Sequence, residues 1–105
     1  MGGSLVPSAT RALSKGEQVL LLRNQVDFLE EQIAEMLGRI DLLVDDNAEM
    51  DYLAGLNERA RSAEMVDLYS ANVARIDALR REIAASNEDI AIYRRELADR
   101  FDIEA

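Results

Sequence analysis

Between Val19 and Leu43 apolar residues recur at alternating spacings of three and four. Val19, Val26, Ile33 and Ile40 form one column, and Leu22, Leu29, Met36 and Leu43 form a second, three residues further on. This spacing predicts an α-helix with a single apolar seam. β-Branched residues in one column and Leu or Met in the other make that seam a coiled-coil heptad, which must find another helix. Leu37 and Val44 widen the stripe, while Leu21, Phe28 and Leu42 gather on the far side of the same helix. Apolar groups on two sides predict contact with more than one neighbour.

Ser14-Lys15-Gly16-Glu17 predicts the helix start. The Ser14 hydroxyl accepts from the third helical N–H, and the Glu17 carboxylate reaches back to the Ser14 N–H. The next position of the Val/Ile column is Asn47, a polar residue that can fix register inside a continuous helix. Asp45, Asp46, Asn47 and Glu49 also read as a helix end followed by a new capping box. Met50 keeps the Leu column in phase, which favours continuity. Beyond it the pattern degrades: Leu53 and Leu56 are out of phase, Gly55 lies between them, and Asn57 and Ser62 are each potential caps. A chain reversal is expected within residues 54–62.

A second arm then has its own column, Tyr69, Ile76, Ile83, Ile90 and Leu97. Its companions change sides, from Val66 and Val73 to Leu79 and Tyr93 and then Phe101. That change resembles a three-residue skip in the heptad. Arg80, Asn87 and Arg94 then stand where a second seam would continue, and Ser86 to Asp89 reads as a helix restart.

The expected fold class is therefore all-α: a long helical hairpin or coiled coil that assembles into a multi-helix bundle. Residues 1–13, with Gly2, Gly3, Ser4 and Pro7, read as a flexible or docking arm. Residues 14–105 form one helical domain, with a first arm at 14–53 and a second at 63–101. The predicted oligomer interface comprises Val19, Leu22, Val26, Leu29, Ile33, Met36, Ile40, Leu43, Asn47, Tyr69, Ile76, Ile83, Ile90 and Leu97. Leu21, Phe28 and Leu42 are expected to make contacts on a second face. Gln18, Gln25, Gln32, Leu37 and Val44 beside the seam weaken charge-based dimer pairing and favour more than two helices around the core.

Composition narrows the function. Aromatic residues are 5% of the chain and there is no Trp, which leaves little to fill a globular core. There is no His and no Cys, which removes the commonest general base, the commonest metal ligand and any thiol chemistry. The net charge of −9 opposes nucleic acid and anionic membrane surfaces. Its distribution is uneven: residues 14–56 hold ten acidic and three basic side chains, and residues 57–105 hold eleven and eight. The arginine-bearing second arm is thus expected to pair with the more acidic first arm. Asp77–Arg81 and Glu96–Arg100 are i,i+4 pairs with the acid first, the better orientation.

The carboxylates Glu30, Glu31, Glu35, Asp45, Asp46, Glu49 and Asp51 fall on polar helix faces, where a solvated role is expected over acid–base chemistry. Asp45, Asp46, Glu49 and Asp51 lack the loop spacing and glycine of an EF-hand. No apolar run approaches the roughly 20 residues that span a bilayer, and no signal segment is visible. The expectation is a non-catalytic protein with no cofactor, metal or small-molecule substrate, partnered by itself and by other proteins through helical packing. Scaffold or connector roles fit, in the cytoplasm or inside an assembly such as a phage particle. The alternative is a regulatory or chaperone-like module that sequesters a partner helix.

Overall fold

The computed structural model describes residues 12–57 and 62–103. Most of the expected N-terminal arm (1–11), the middle of the expected reversal (58–61) and residues 104–105 lie outside the described residues. The fold is a hairpin of two long helices, α1 (Lys15–Asn57) and α2 (Ala63–Phe101), packed antiparallel along their length.

Local sequence explains both starts. At α1 the Glu17 N–H donates to Ser14 Oγ at 3.1 Å and the Ser14 N–H donates to Glu17 Oε1 at 3.0 Å, the reciprocal pair that the sequence implied. That N–H, together with the Ser14 hydroxyl, holds the Glu17 carboxyl below the usual carboxylate range. At α2 Ser62 is the N-cap, and its hydroxyl accepts from the Met65 N–H at 3.2 Å. α2 ends at Asp102, whose φ of 56° is left-handed. The Asp102 and Ile103 N–H groups then close onto the Ala98 and Leu97 carbonyls, both at 3.1 Å.

Neither arm breaks where breaks were conceivable. α1 passes through Asp45-Asp46-Asn47 and Gly55 and ends at Asn57, inside the stretch expected to reverse. α2 passes through Ser86–Asp89 without a restart. A capping sequence worth about 1 kcal/mol does not end a helix whose neighbouring turns have tertiary support. Here the turns on either side are held by seam contacts.

The core is a ladder of side chains between the helices. Met36, Ile40, Ile76 and Leu79 form its buried centre, with Ile33, Leu43 and Ile83 packed against them. Leu79 is the most enclosed, at 1% exposure. Burial of such a Leu is worth about 1.5–3 kcal/mol. Val26, Met50, Ile90, Leu97 and Phe101 are also buried, so the seam extends well beyond its centre.

The second arm corrects one expectation. No three-residue skip occurs. The companion column of Tyr69, Ile76, Ile83, Ile90 and Leu97 is Met65, Asn72, Leu79, Ser86 and Tyr93, each buried or half-buried, in an unbroken heptad. Val66 and Val73 are exposed, and Arg80, Asn87 and Arg94 lie outside the seam. The physical reason is that two members of the true column, Asn72 and Ser86, are polar, while apolar Val66, Val73 and Phe101 occupy the neighbouring column.

Candidate interaction surface

The register of the hairpin is fixed at one polar layer. Asn47 and Asn72 are buried at 7% and 8% exposure. Asn72 Nδ2–H donates to Asn47 Oδ1 at 2.9 Å, and Asn47 Nδ2–H points to the Tyr69 carbonyl at 3.5 Å. Among the described residues no buried side-chain polar atom lacks a partner. Next to this layer the Tyr69 hydroxyl donates to Asp51 Oδ2 at 3.4 Å. A slip of the helices would strand both amides among apolar side chains, at about 1–3 kcal/mol for each unpaired group.

Counted outward from that layer, the columns of the two arms meet in antiparallel order. Leu43 lies opposite Ile76, Ile40 opposite Leu79, Met36 opposite Ile83, and Ile33 opposite Ser86. The same count sets Leu29 level with Ile90, Val26 with Tyr93, and Leu22 with Leu97. In the other direction the count sets Met50 level with Tyr69 and Ala54 with Met65. The seam residues singled out in the sequence therefore face the other helix of the same chain. Val19, Leu22, Leu29, Ile33, Leu43, Tyr69 and Ile83 remain half-buried, because two helices alone cover a seam from one side only. Leu21, Phe28 and Leu42 are exposed.

Electrostatics support the pairing at the rim. Arg94 donates to Glu30 across the helices at 3.1 Å, and Arg100 donates to Gln18 Oε1 at 2.9 Å. The i,i+4 pairs Asp77–Arg81 (3.4 Å) and Glu96–Arg100 (2.6 Å) form as expected, joined by Glu35–Arg39 at 2.9 Å, which the sequence reading missed. All are solvent-exposed, so each contributes between nothing and about 1 kcal/mol. The Arg100 guanidinium also lies 5.1 Å from the Phe101 ring centroid.

The hairpin has two broad faces, and among the described residues both expose large apolar side chains. Apolar residues on one flank of the seam are Leu37 and Val44 from α1 with Val66 and Val73 from α2. On the other side stand Leu21, Phe28, Leu42, Leu68 and Ile92. Two shallow grooves accompany them. One is bounded by Glu30, Ile33, Leu37, Asn87, Ile90 and Arg94. The other is bounded by Arg39, Leu42, Leu43, Arg75 and Leu79. Both are open troughs and neither encloses a ligand-sized space.

The carboxylates weighed for chemistry, Glu30, Glu31, Glu35, Asp45, Asp46, Glu49 and Asp51, all lie exposed. Among the described residues no three acidic side chains converge where a metal ion would sit, and no helix is long and apolar enough to cross a membrane. What the arrangement offers a partner is apolar helix surface edged with charge. Set against known protein families, curated proteins and solved structures, the chain finds no match, and its own surface carries the functional argument.

Proposed function

We propose that the protein is a non-catalytic helical hairpin that self-associates and serves as a structural or assembly component, a scaffold or connector, within a larger protein complex. The observation that carries this reading is the number of large apolar side chains exposed on both broad faces of one hairpin, among them Phe28, Leu37, Leu42 and Val44. Contiguous exposed apolar surface marks protein contacts in proteins that remain monodisperse. Two-helix hairpins complete their cores by pairing into four-helix bundles. The cytoplasm, or the interior of such an assembly, a virion included, is the setting that fits this role.

The alternative is a regulatory or chaperone-like module that sequesters a partner helix. The trough between Arg39 and Arg75, floored by Leu43 and Leu79, favours it, because a narrow apolar groove with a basic rim suits one amphipathic acidic helix.

Thermal melting followed by circular dichroism separates the two. Self-association makes the midpoint rise with protein concentration by mass action. A midpoint that stays constant over a hundredfold concentration range, and rises only when a partner protein is added, would favour the sequestering module.

A further inference from the structure

We infer that the flank bearing Leu37, Val44, Val66 and Val73 is the self-association surface, and that its occupant is a second copy of the hairpin lying with its tip at the same end. This inference rests on the self-association reading above and assigns the face and orientation.

The four residues are 44–49% exposed and stand immediately beside the seam, so a copy placed on them continues the existing core. The charges on this flank complement one another about a two-fold axis. The α1 side carries Asp27, Glu30 and Asp41, and the α2 side carries Arg80 and Arg94, with Arg23 and Asp77 as the exceptions. Rotation by half a turn about the long axis of the hairpin lays each α1 against the α2 of the other copy. Asp41 then comes level with Arg80, and Asp27 with Arg94. Among the described residues Asp41 and Arg80 make no hydrogen bond or ion pair within the hairpin. An isologous two-fold contact of this kind is the commonest closed assembly.

Position along the hairpin sets the orientation. Leu37, Val44, Val73 and Val66 all fall in the half nearer the tip, between the Met36–Ile83 layer and the Ala54–Met65 layer. With tips together, these residues from both copies meet at the same level in the tip half, while the helices lie side by side along their full length. Turned end over end, one copy's valines would face the other's Arg94 and Phe101. Of the acids crowded near the tip, Asp45, Asp46, Glu49, Glu64 and Asp67 fall on heptad positions that face away from this flank, while Asp51 continues the column of Leu37 and Val44 and accepts from the Tyr69 hydroxyl within the hairpin. Leu37 of the second copy also comes level with the open trough bordered by Glu30, Leu37, Asn87 and Arg94.

The opposite face is the poorer candidate. Leu21, Phe28, Leu42 and Ile92 are separated from the seam by a row that includes Gln25, Gln32, Glu82 and Asp89, in which Leu53 and Leu68 are the apolar members. At its middle Arg39 and Arg75 border one trough, and a copy seated there would desolvate two like charges.

The test compares the full-length protein with L37E/V44E and with F28E/L42E by sedimentation equilibrium, with circular dichroism to confirm that each stays helical. L37E/V44E is expected to raise the dimer dissociation constant by about 100-fold or more, because carboxylates would enter an apolar contact. F28E/L42E is expected to leave it within a few-fold. The chain has no cysteine, so a spin label at Glu64→Cys reports one site per protomer. Tips together give an interlabel distance of a few tens of ångströms at most. Tips apart give about 65 Å, the length of α1 at about 1.5 Å per residue. A dimer dissociated by F28E/L42E and indifferent to L37E/V44E would overturn the face, and the long distance would overturn the orientation. A wild-type protein that stays monomeric would instead sink the self-association reading itself.

Discussion

The Asn47–Asn72 layer offers the sharpest energetic prediction. Truncating either partner to Ala leaves the other amide in a site less than 10% exposed, without its 2.9 Å hydrogen bond. Each single variant is expected to lose about 1–3 kcal/mol, the desolvation cost of an unpaired buried polar group. Removing both amides removes that penalty, so N47A/N72A should cost less than the sum of the single changes. The expected coupling is about 1–2 kcal/mol. Urea unfolding followed by far-UV circular dichroism, at one fixed protein concentration, measures all four corners of the cycle. Additivity of the two changes to within about 0.5 kcal/mol would mean that the amides do not pair, and the register would have to be set elsewhere. A Leu pair in place of the two Asn residues should raise stability by burying more apolar surface, about 1.5–3 kcal/mol per Leu. It should also permit slipped registers, visible as a broadened distance distribution between labels on α1 and α2.

Other consequences are simpler to read. Leu79→Ala, at the most enclosed position, should destabilise by about 2–5 kcal/mol in the same urea assay. A loss under about 1 kcal/mol would show that the centre of the seam is not packed as described. Two backbone substitutions should stabilise. Gly38→Ala meets nothing within 4 Å and removes a mid-helix glycine, while Asp102→Gly relieves a left-handed φ of 56°. Each is expected to add about 0.5–1 kcal/mol. The lowered pKa of Glu17 means that its folded-state interactions favour the charged form. Its contribution is therefore present above the unfolded glutamate value of about 4.3 and fades as pH falls through the lower folded value. NMR titration should place Glu17 below the ordinary glutamate range, and Ser14→Ala should raise it only part of the way, because the Ser14 backbone N–H, the larger cause, is kept.

The first arm could be read directly because its columns are chemically uniform. Val19 through Ile40 and Leu22 through Leu43 are all apolar, and nothing nearby competes for their phase. In the second arm two adjacent columns each mix apolar and polar residues, so periodicity alone could not choose between Leu79 and its neighbour Arg80. The signal that decides it lies in the other arm. A seam Asn at position 47 needs a hydrogen-bonding partner, and Asn72 is the residue on α2 that provides one when the hairpin closes. The end of α1 could not be read either. Gly55 suggested a break, but a glycine costs a helix only about 1 kcal/mol, and the Ala54–Met65 layer lies beside it. Leu21, Phe28 and Leu42, expected to make contacts on a second face, stand exposed on the hairpin.

The central claim is that this hairpin is half of a larger helical core. Sedimentation equilibrium of the unmodified protein, from low to high micromolar concentration, tests it most directly. A reversible dimer or higher closed oligomer of the 11.7 kDa chain is the expected result. A fully helical, stable monomer across the whole range would contradict it.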